Sequence, residues 1–236
     1  MLRIFNTQQR NFKNIKMLVF DMAGTTVNEK GIVYDTLYST IKDFGINVLR
    51  EDINSWYGYN KYEVLNHYLE NSYNKNSHTD IKTNVRQQLY TNFDNNLREQ
   101  YFESSNLELI DKGMPNLFNS IREKDIKICL NTGYSKDIQE SIINKLNMKD
   151  FIDDYISCEE VKKGRPYPYM IHKLMERNNI SHSKHIIKIG DTKNDILEGR
   201  NANCMASIGV LTGAEKRINL MSANAILNSV MDIKIE

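Results

Sequence analysis

The chain has few of the residues that build specialised scaffolds. Only three cysteines occur, Cys129, Cys158 and Cys204, widely spaced and odd in number, which excludes a disulfide framework and a cysteine-rich zinc site. Cys129 and Cys204 stand in apolar surroundings and read as small buried hydrophobes, whereas Cys158 is expected to be more exposed, with no neighbour that would activate its thiol. Charge of one sign is also missing. Thirty-one basic residues face thirty acidic ones, so no basic face is expected, and nucleic acid and anionic membranes are not expected as partners. No apolar run approaches a membrane span, and the first 16 residues lack the apolar segment of a secretory signal, so a cytoplasmic setting is expected. Pro- or Gly-rich linkers and internal repeats are absent, which argues against tethered modules and repeat arrays.

What is there is ordered in two regimes. At 236 residues the chain is long for one core, so one domain with an insertion, or two small domains, is the expectation. Residues 1–14 are polar and read as a frayed lead-in. A strand over 16–20 follows, its apolar run stopping at Asp21. From there the periodicity is helical: Tyr34, Leu37, Ile41 and Phe44 up to Gly45, then Val64, Leu65, Tyr68 and Leu69 from Lys61 onward. A polar break over 71–76 precedes a long four-residue stripe of Ile81, Val85, Leu89, Phe93, Leu97 and Tyr101. No strand pattern stands out between 29 and 112. After Gly113-Met114-Pro115 strands (127–130, 155–157, 185–189, 206–210) alternate with helices (117–124, 135–146, 168–177 and from 194). Repeated βα units predict an α/β fold, a Rossmann-like doubly wound parallel sheet built from 1–28 and 113–236, with 29–112 an all-helical insertion after the first strand.

In open parallel sheets the ligand site lies beyond the carboxyl ends of the strands. Three strand ends carry polar residues there: Asp21, Asn131-Thr132-Gly133-Tyr134, and Gly190-Asp191-Thr192-Lys193-Asn194-Asp195. Carboxylates from different strands meeting at one edge repel unless a cation lies between them, and a hard divalent ion such as Mg²⁺ suits oxygen ligands. If a helix starts at Asp191, it and Asp195 share one face; one can ligate directly while the other ligates or orients through a water, although for Asp195 a first-turn carboxylate also suits the helix dipole without a metal. Thr132 and Gly133 pair a hydroxyl with a residue that permits close backbone approach, as a phosphoryl oxygen requires. Arg165, in Gly164-Arg165-Pro166-Tyr167-Pro168, puts a fixed charge in a stiffened loop.

With these residues, the chain resembles the haloacid dehalogenase superfamily, and within it the phosphonatase (phosphonoacetaldehyde hydrolase) branch and its phosphonatase-like relatives. The superfamily's nucleophilic Asp, hydroxyl, basic residue and acidic pair fall on Asp21, Thr132, Arg165, and Asp191 with Asp195. Most superfamily phosphatases carry a second Asp two residues after the nucleophile as general acid and base; here that position is Ala23. Alanine cannot protonate an ester's leaving oxygen, whereas a carbon leaving group needs an electron sink. The resemblance supplies one: a lysine of the helical cap that forms a Schiff base with the substrate aldehyde, matched by Lys61 in Gly58-Tyr59-Asn60-Lys61. It implies Mg²⁺ held by Asp21, the Ala23 backbone carbonyl, Asp191 and Asp195, substrate contacts from Thr132, Gly133, Tyr134 and Arg165, a small phosphonate or phosphate substrate, and a homodimer formed through the cap. The chain departs from the branch at Tyr57, where Met is usual, and at Val64, where His is usual, so the sequence assigns no residue to the proton shuttling that imine chemistry needs. Two other readings stay open: a phosphatase or phosphomutase of the same fold in which Lys61 only binds, against which Ala23 speaks, and a non-catalytic binding protein, against which the retained motif set speaks.

Overall fold

The computed structural model describes residues 2–4, 10–72, 79–104 and 107–235. In chain order the elements are β1 (Leu2–Ile4), β2 (Arg10–Phe12), β3 (Met17–Asp21), β4 (Val27–Asn28), α1 (Ile32–Asp43), α2 (Arg50–Ile53), α3 (Lys61–Ser72), α4 (Thr79–Arg98) and β5 (Glu108–Leu109). There follow α5 (Met114–Arg122), β6 (Lys127–Thr132), α6 (Lys136–Lys145), β7 (Asp154–Ser157), α7 (Tyr169–Arg177), β8 (Ile186–Gly190), α8 (Lys193–Asn201), β9 (Ala206–Val210), β10 (Ala225–Leu227) and β11 (Ile233–Ile235). A five-residue π-helical segment, Glu99–Glu103, continues α4.

Six strands form a parallel sheet in the order β10-β9-β8-β3-β6-β7, with β3 central. All five residues of β3 are buried, as are those of β8 and β9, which is why these segments read as apolar runs rather than alternations. The fold is the predicted doubly wound α/β sheet. Chain order turns back at β3, whose neighbours β6 and β8 put three strand ends beside one another at the switch point.

Helices α1 to α4 lie between β4 and β5. The expectation of no strand in 29–112 needs correction: Glu108–Leu109 pairs antiparallel with Val27–Asn28, so the chain leaves the sheet for the helices and returns side by side. The segments are two residues long, too short to show a period. The lead-in is also corrected, since β1 and β2 pair with each other and β1 with β11. The expected break over 71–76 lies mostly outside the described residues. Leu89, Phe93, Leu97 and Tyr101, the stripe of the long helix, are buried inside this single chain, so they are no free face for a second copy. Among the described residues no helix is long and apolar enough to cross a membrane.

Candidate active site

Asp21 ends β3 and is 4% exposed. The turn behind it is drawn tight by the Met22 carbonyl, which accepts from the backbone N–H groups of Thr25, Thr26 and Val27 at 3.1, 2.9 and 2.8 Å, while the Thr26 hydroxyl donates to the Asp21 carbonyl at 2.9 Å. Gly24 has φ +76°, and a Cβ there would lie 2.7 Å from the Gly213 Cα and 2.8 Å from Asp191 Oδ2. Only glycine suits both the backbone conformation and the space.

The three aspartates meet. One oxygen each of Asp21, Asp191 and Asp195 lies within 4.8 Å of the others, and all three are buried. Their surroundings differ. Asp195 is ion-paired with Lys188 at 2.8 Å and Arg165 at 3.2 Å, and its other oxygen accepts from the Thr192 hydroxyl at 2.5 Å. These cations hold its carboxyl below the usual range despite burial. Among the described residues Asp191 accepts only from the Thr25 hydroxyl (3.0 Å) and the Ala214 N–H (2.7 Å). Burial, then the charges of Asp21 and Asp195, push its carboxyl well up. Burial also raises Asp21, against the pull of Arg165 at 2.7 Å. Among the described residues the site's ion pairs end on Asp21, Asp195 and Glu198, and none reaches Asp191. A carboxylate left without a cation beside two others, all offering hard oxygens, is the donor set a divalent ion such as Mg²⁺ fits. Asp21 and Asp191 have capacity to spare, while both oxygens of Asp195 already face donors.

Arg165 is more committed than the sequence implied. Its Nε donates to Glu198 (3.1 Å), its Nη2 to the Asn131 carbonyl and side-chain oxygens (2.8 Å each), and its Nη1 faces Asp21 and Asp195. Lys188 and Glu198, neither singled out from the sequence, complete this cluster and are fully buried. Lys188 was visible as the one charge in the apolar run of β8, and Glu198 lies three residues beyond Asp195 on α8; their partners were not visible.

Lys61 begins α3 and is 5% exposed. Its ammonium donates to the Tyr59 carbonyl at 2.8 Å and stands 4.9 Å from the centre of the Tyr34 ring. Burial lowers it to about 8, against the attraction of Asp21. It lines one narrow cavity with Asp21, Ala23, Thr132, Gly133, Tyr134, Arg165 and Asp191. The loop before it, residues 57–60, lies on the sheet edge: Asn194 donates to the Tyr57 carbonyl at 2.6 Å, and a Cβ on Gly133 would lie 2.8 Å from the Tyr59 carbonyl oxygen. The backbone that Gly133 admits is therefore that of this loop. The Thr132 hydroxyl accepts from the Tyr134 N–H at 3.3 Å. Cys158, expected to be exposed, is buried, its thiol donating to the Tyr134 carbonyl at 3.4 Å; Cys129 and Cys204 are buried as expected.

The fold and site define an α/β protein with carboxylates, two buried cations and a lysine from inserted helices at its switch point. The sequence matches the haloacid dehalogenase-like hydrolase family over residues 18–210, and the chain belongs to that family. A phosphonoacetaldehyde hydrolase from Bacillus cereus is 34% identical over 105 residues, a stretch covering 44% of this chain and 39% of that relative's length. Among solved structures, a phosphonoacetaldehyde hydrolase-like protein from Oleispira antarctica matches with TM-score 0.75 at 21% identity, over 95% of this chain and 92% of the other. A β-phosphoglucomutase from Clostridium difficile matches with TM-score 0.71 at 21% identity, over 94% of each chain. At these identities the likeness is one of fold.

Proposed function

We propose that the chain is a Mg²⁺-dependent hydrolase of the phosphonatase type, cleaving the C–P bond of phosphonoacetaldehyde or a close analogue. The observation that carries this reading is Lys61 buried in one cavity with Asp21 while Ala23 leaves the nucleophile without an acid beside it. The named Bacillus relative supports the substrate class. In this reading residues 29–112 act as a cap over the core formed by 1–28 and 113–236.

Asp21, the Ala23 carbonyl and Asp191 would hold Mg²⁺, with Asp195 reaching it through a water; bound there, the ion neutralises charge on the phosphoryl group and the carboxylates. Lys61, its amine made available by burial, condenses with the aldehyde. Asp21 attacks phosphorus in line, the C–P bond electrons pass into the imine to leave an enamine, the enamine carbon takes a proton to give an iminium, and one water releases phosphate from Asp21 while a second releases acetaldehyde from Lys61. Arg165 fixes Asp21 for attack, and with Thr132, Gly133 and Tyr134 it forms the wall against which the phosphoryl group and aldehyde are held. Asp195, Glu198 and Asn131 keep Arg165 in place.

One observation favours a second reading. Lys61 is satisfied by the Tyr59 carbonyl and the Tyr34 ring, as a purely binding cation would be, and the site then serves a phosphatase or mutase on a small phosphate ester. Phosphate release separates the two. The phosphonatase reading expects release from phosphonoacetaldehyde with Mg²⁺, none from small phosphate esters, and loss of release in Lys61→Arg. Release from esters alone, retained in Lys61→Arg, would overturn it.

A further inference from the structure

A line of three hydrogen-bonding side chains, of which the reaction above uses only Tyr134 and that only as a wall, reaches the cavity. Tyr134, 3% exposed, lines it beside Lys61 and Asp21. Its hydroxyl lies 2.6 Å from that of Tyr101, which is fully buried on the π-helical segment after α4. The Tyr101 hydroxyl lies 3.0 Å from Glu29 Oε2. Glu29 is 5% exposed and lines a second, larger cavity of about 340 Å³ that shares Ala23, Tyr34 and Asp191 with the first. Three residues far apart in sequence therefore form one hydrogen-bonded line between a residue of the larger cavity and a residue of the narrow one.

The donor order follows from what each group can do. Glu29 also accepts from the Gly31 N–H at 2.9 Å and the Val33 N–H at 2.8 Å, contacts that suit a carboxylate. Tyr101 then donates to Glu29 and Tyr134 to Tyr101, which leaves the Tyr134 oxygen able to accept a proton. Burial raises the Glu29 carboxyl, so it can take a proton without being a strong acid; the charge of Lys61 opposes that shift. Capping the start of α1 accounts for Glu29 alone. It does not account for two buried tyrosine hydroxyls aligned between it and the cavity.

We infer that Glu29, Tyr101 and Tyr134 form a proton relay for Lys61, in place of the histidine that Val64 replaces. This rests on the Schiff-base reading above. The Lys61 ammonium gives a proton to Tyr134 as the Tyr134 proton passes to Tyr101 and that of Tyr101 to Glu29, leaving a free amine and a neutral carboxyl. The amine attacks the aldehyde carbon, the C–N bond forms, and the carbonyl electron pair moves to oxygen, which gains a proton from the attacking nitrogen. The relay then runs backwards: Glu29 returns its proton through the tyrosines to the carbinolamine hydroxyl, the C–O bond breaks, water leaves, and the nitrogen lone pair closes the iminium. The sum is ammonium plus aldehyde giving iminium plus water, with Glu29 again a carboxylate. Tyr134 alone touches the substrate; Tyr101 and Glu29 act through it.

The test is the rate of Lys61 imine formation with phosphonoacetaldehyde, trapped by borohydride in water and in deuterium oxide, for the unaltered chain and for Glu29→Gln, Tyr101→Phe and Tyr134→Phe. Thermal unfolding and Mg²⁺ response are followed alongside. The relay predicts trapping slowed by about 100-fold in each variant, a curved dependence on deuterium fraction in the unaltered chain, and a linear one in Tyr101→Phe. It also predicts that formate, entering by the larger cavity that Glu29 lines, restores trapping in Glu29→Ala. Variants that trap at the unaltered rate, or slow without any change in the deuterium dependence, would overturn the relay and leave the Schiff base standing. Failure of the unaltered chain to trap at Lys61 would remove both.

Discussion

Ala23 and Lys61 divide one chemical problem between them. A residue without a proton beside Asp21 suits a leaving carbon, and a lysine in the same cavity suits the sink that carbon needs. In the proposed reaction the attacking form of Lys61 is the neutral amine, and burial lowers its value from 10.5 to about 8. Below that value each pH unit removes about nine tenths of the free amine, so trapping at low aldehyde concentration should rise tenfold per unit and level off above about 8. A curve that climbs until 10.5 would mean an ordinary exposed amine. Both residues were legible through the family resemblance, Ala23 as a break in the nucleophile's motif and Lys61 by its place after Gly58. Glu29, Tyr101 and Tyr134 were not legible as a group, since each has a sufficient local explanation and only the fold brings their hydroxyl and carboxyl groups together.

The elements hold the site through buried charge and close backbone approach. Between β8 and α8, Lys188 lies 2.8 Å from Asp195 and 3.6 Å from Glu198 with no exposure. Lys188→Met would leave those carboxylates with Arg165 alone, and breaking a buried pair this way costs about 3–5 kcal/mol; the shift in urea midpoint at constant slope measures it, and an unchanged midpoint would refute the role. The loop at 57–60 depends on Gly58, whose φ is +77° and whose Cβ would lie 2.3 Å from the Thr192 hydroxyl oxygen. Gly58→Ala should lift this loop from the sheet edge, slowing imine trapping at Lys61 at least tenfold while thermal stability and Mg²⁺ response stay near those of the unaltered chain. Strands and helices from β6 to β9 were legible because buried parallel strands are continuous apolar runs. The pairs β4–β5 and β1–β11 were not, because two- and three-residue strands carry no period and their partners are distant in sequence.

Across the whole molecule the charge balance turns on Asp191. Its carboxyl is pushed up in the folded chain, so without metal its ionised form opposes folding: stability should fall as pH rises through the raised value, and Asp191→Asn should be more stable than the unaltered chain at neutral pH. Mg²⁺ bound as proposed would reverse the sign. At a concentration one hundred times its dissociation constant the ion should stabilise the chain by about 2.7 kcal/mol, read as an upward shift in Tm that chelation removes and Asp191→Asn lacks. A chain whose Tm ignores Mg²⁺ would contradict the assignment of Asp21 and Asp191 as ligands. At this scale the doubly wound sheet and the position of the site at its switch point were legible from the order of the elements. The placement of a lysine from the inserted helices over that edge was legible only through family resemblance, since the sequence pattern around Lys61 is that of any helix start.

The central claim is that Lys61 bonds covalently to substrate. Incubation with phosphonoacetaldehyde and borohydride, followed by peptide mass mapping, tests it directly. The account predicts loss of activity together with a reduced two-carbon adduct on Lys61, absent from Lys61→Arg. Full activity after reduction, with Lys61 unmodified, would contradict it.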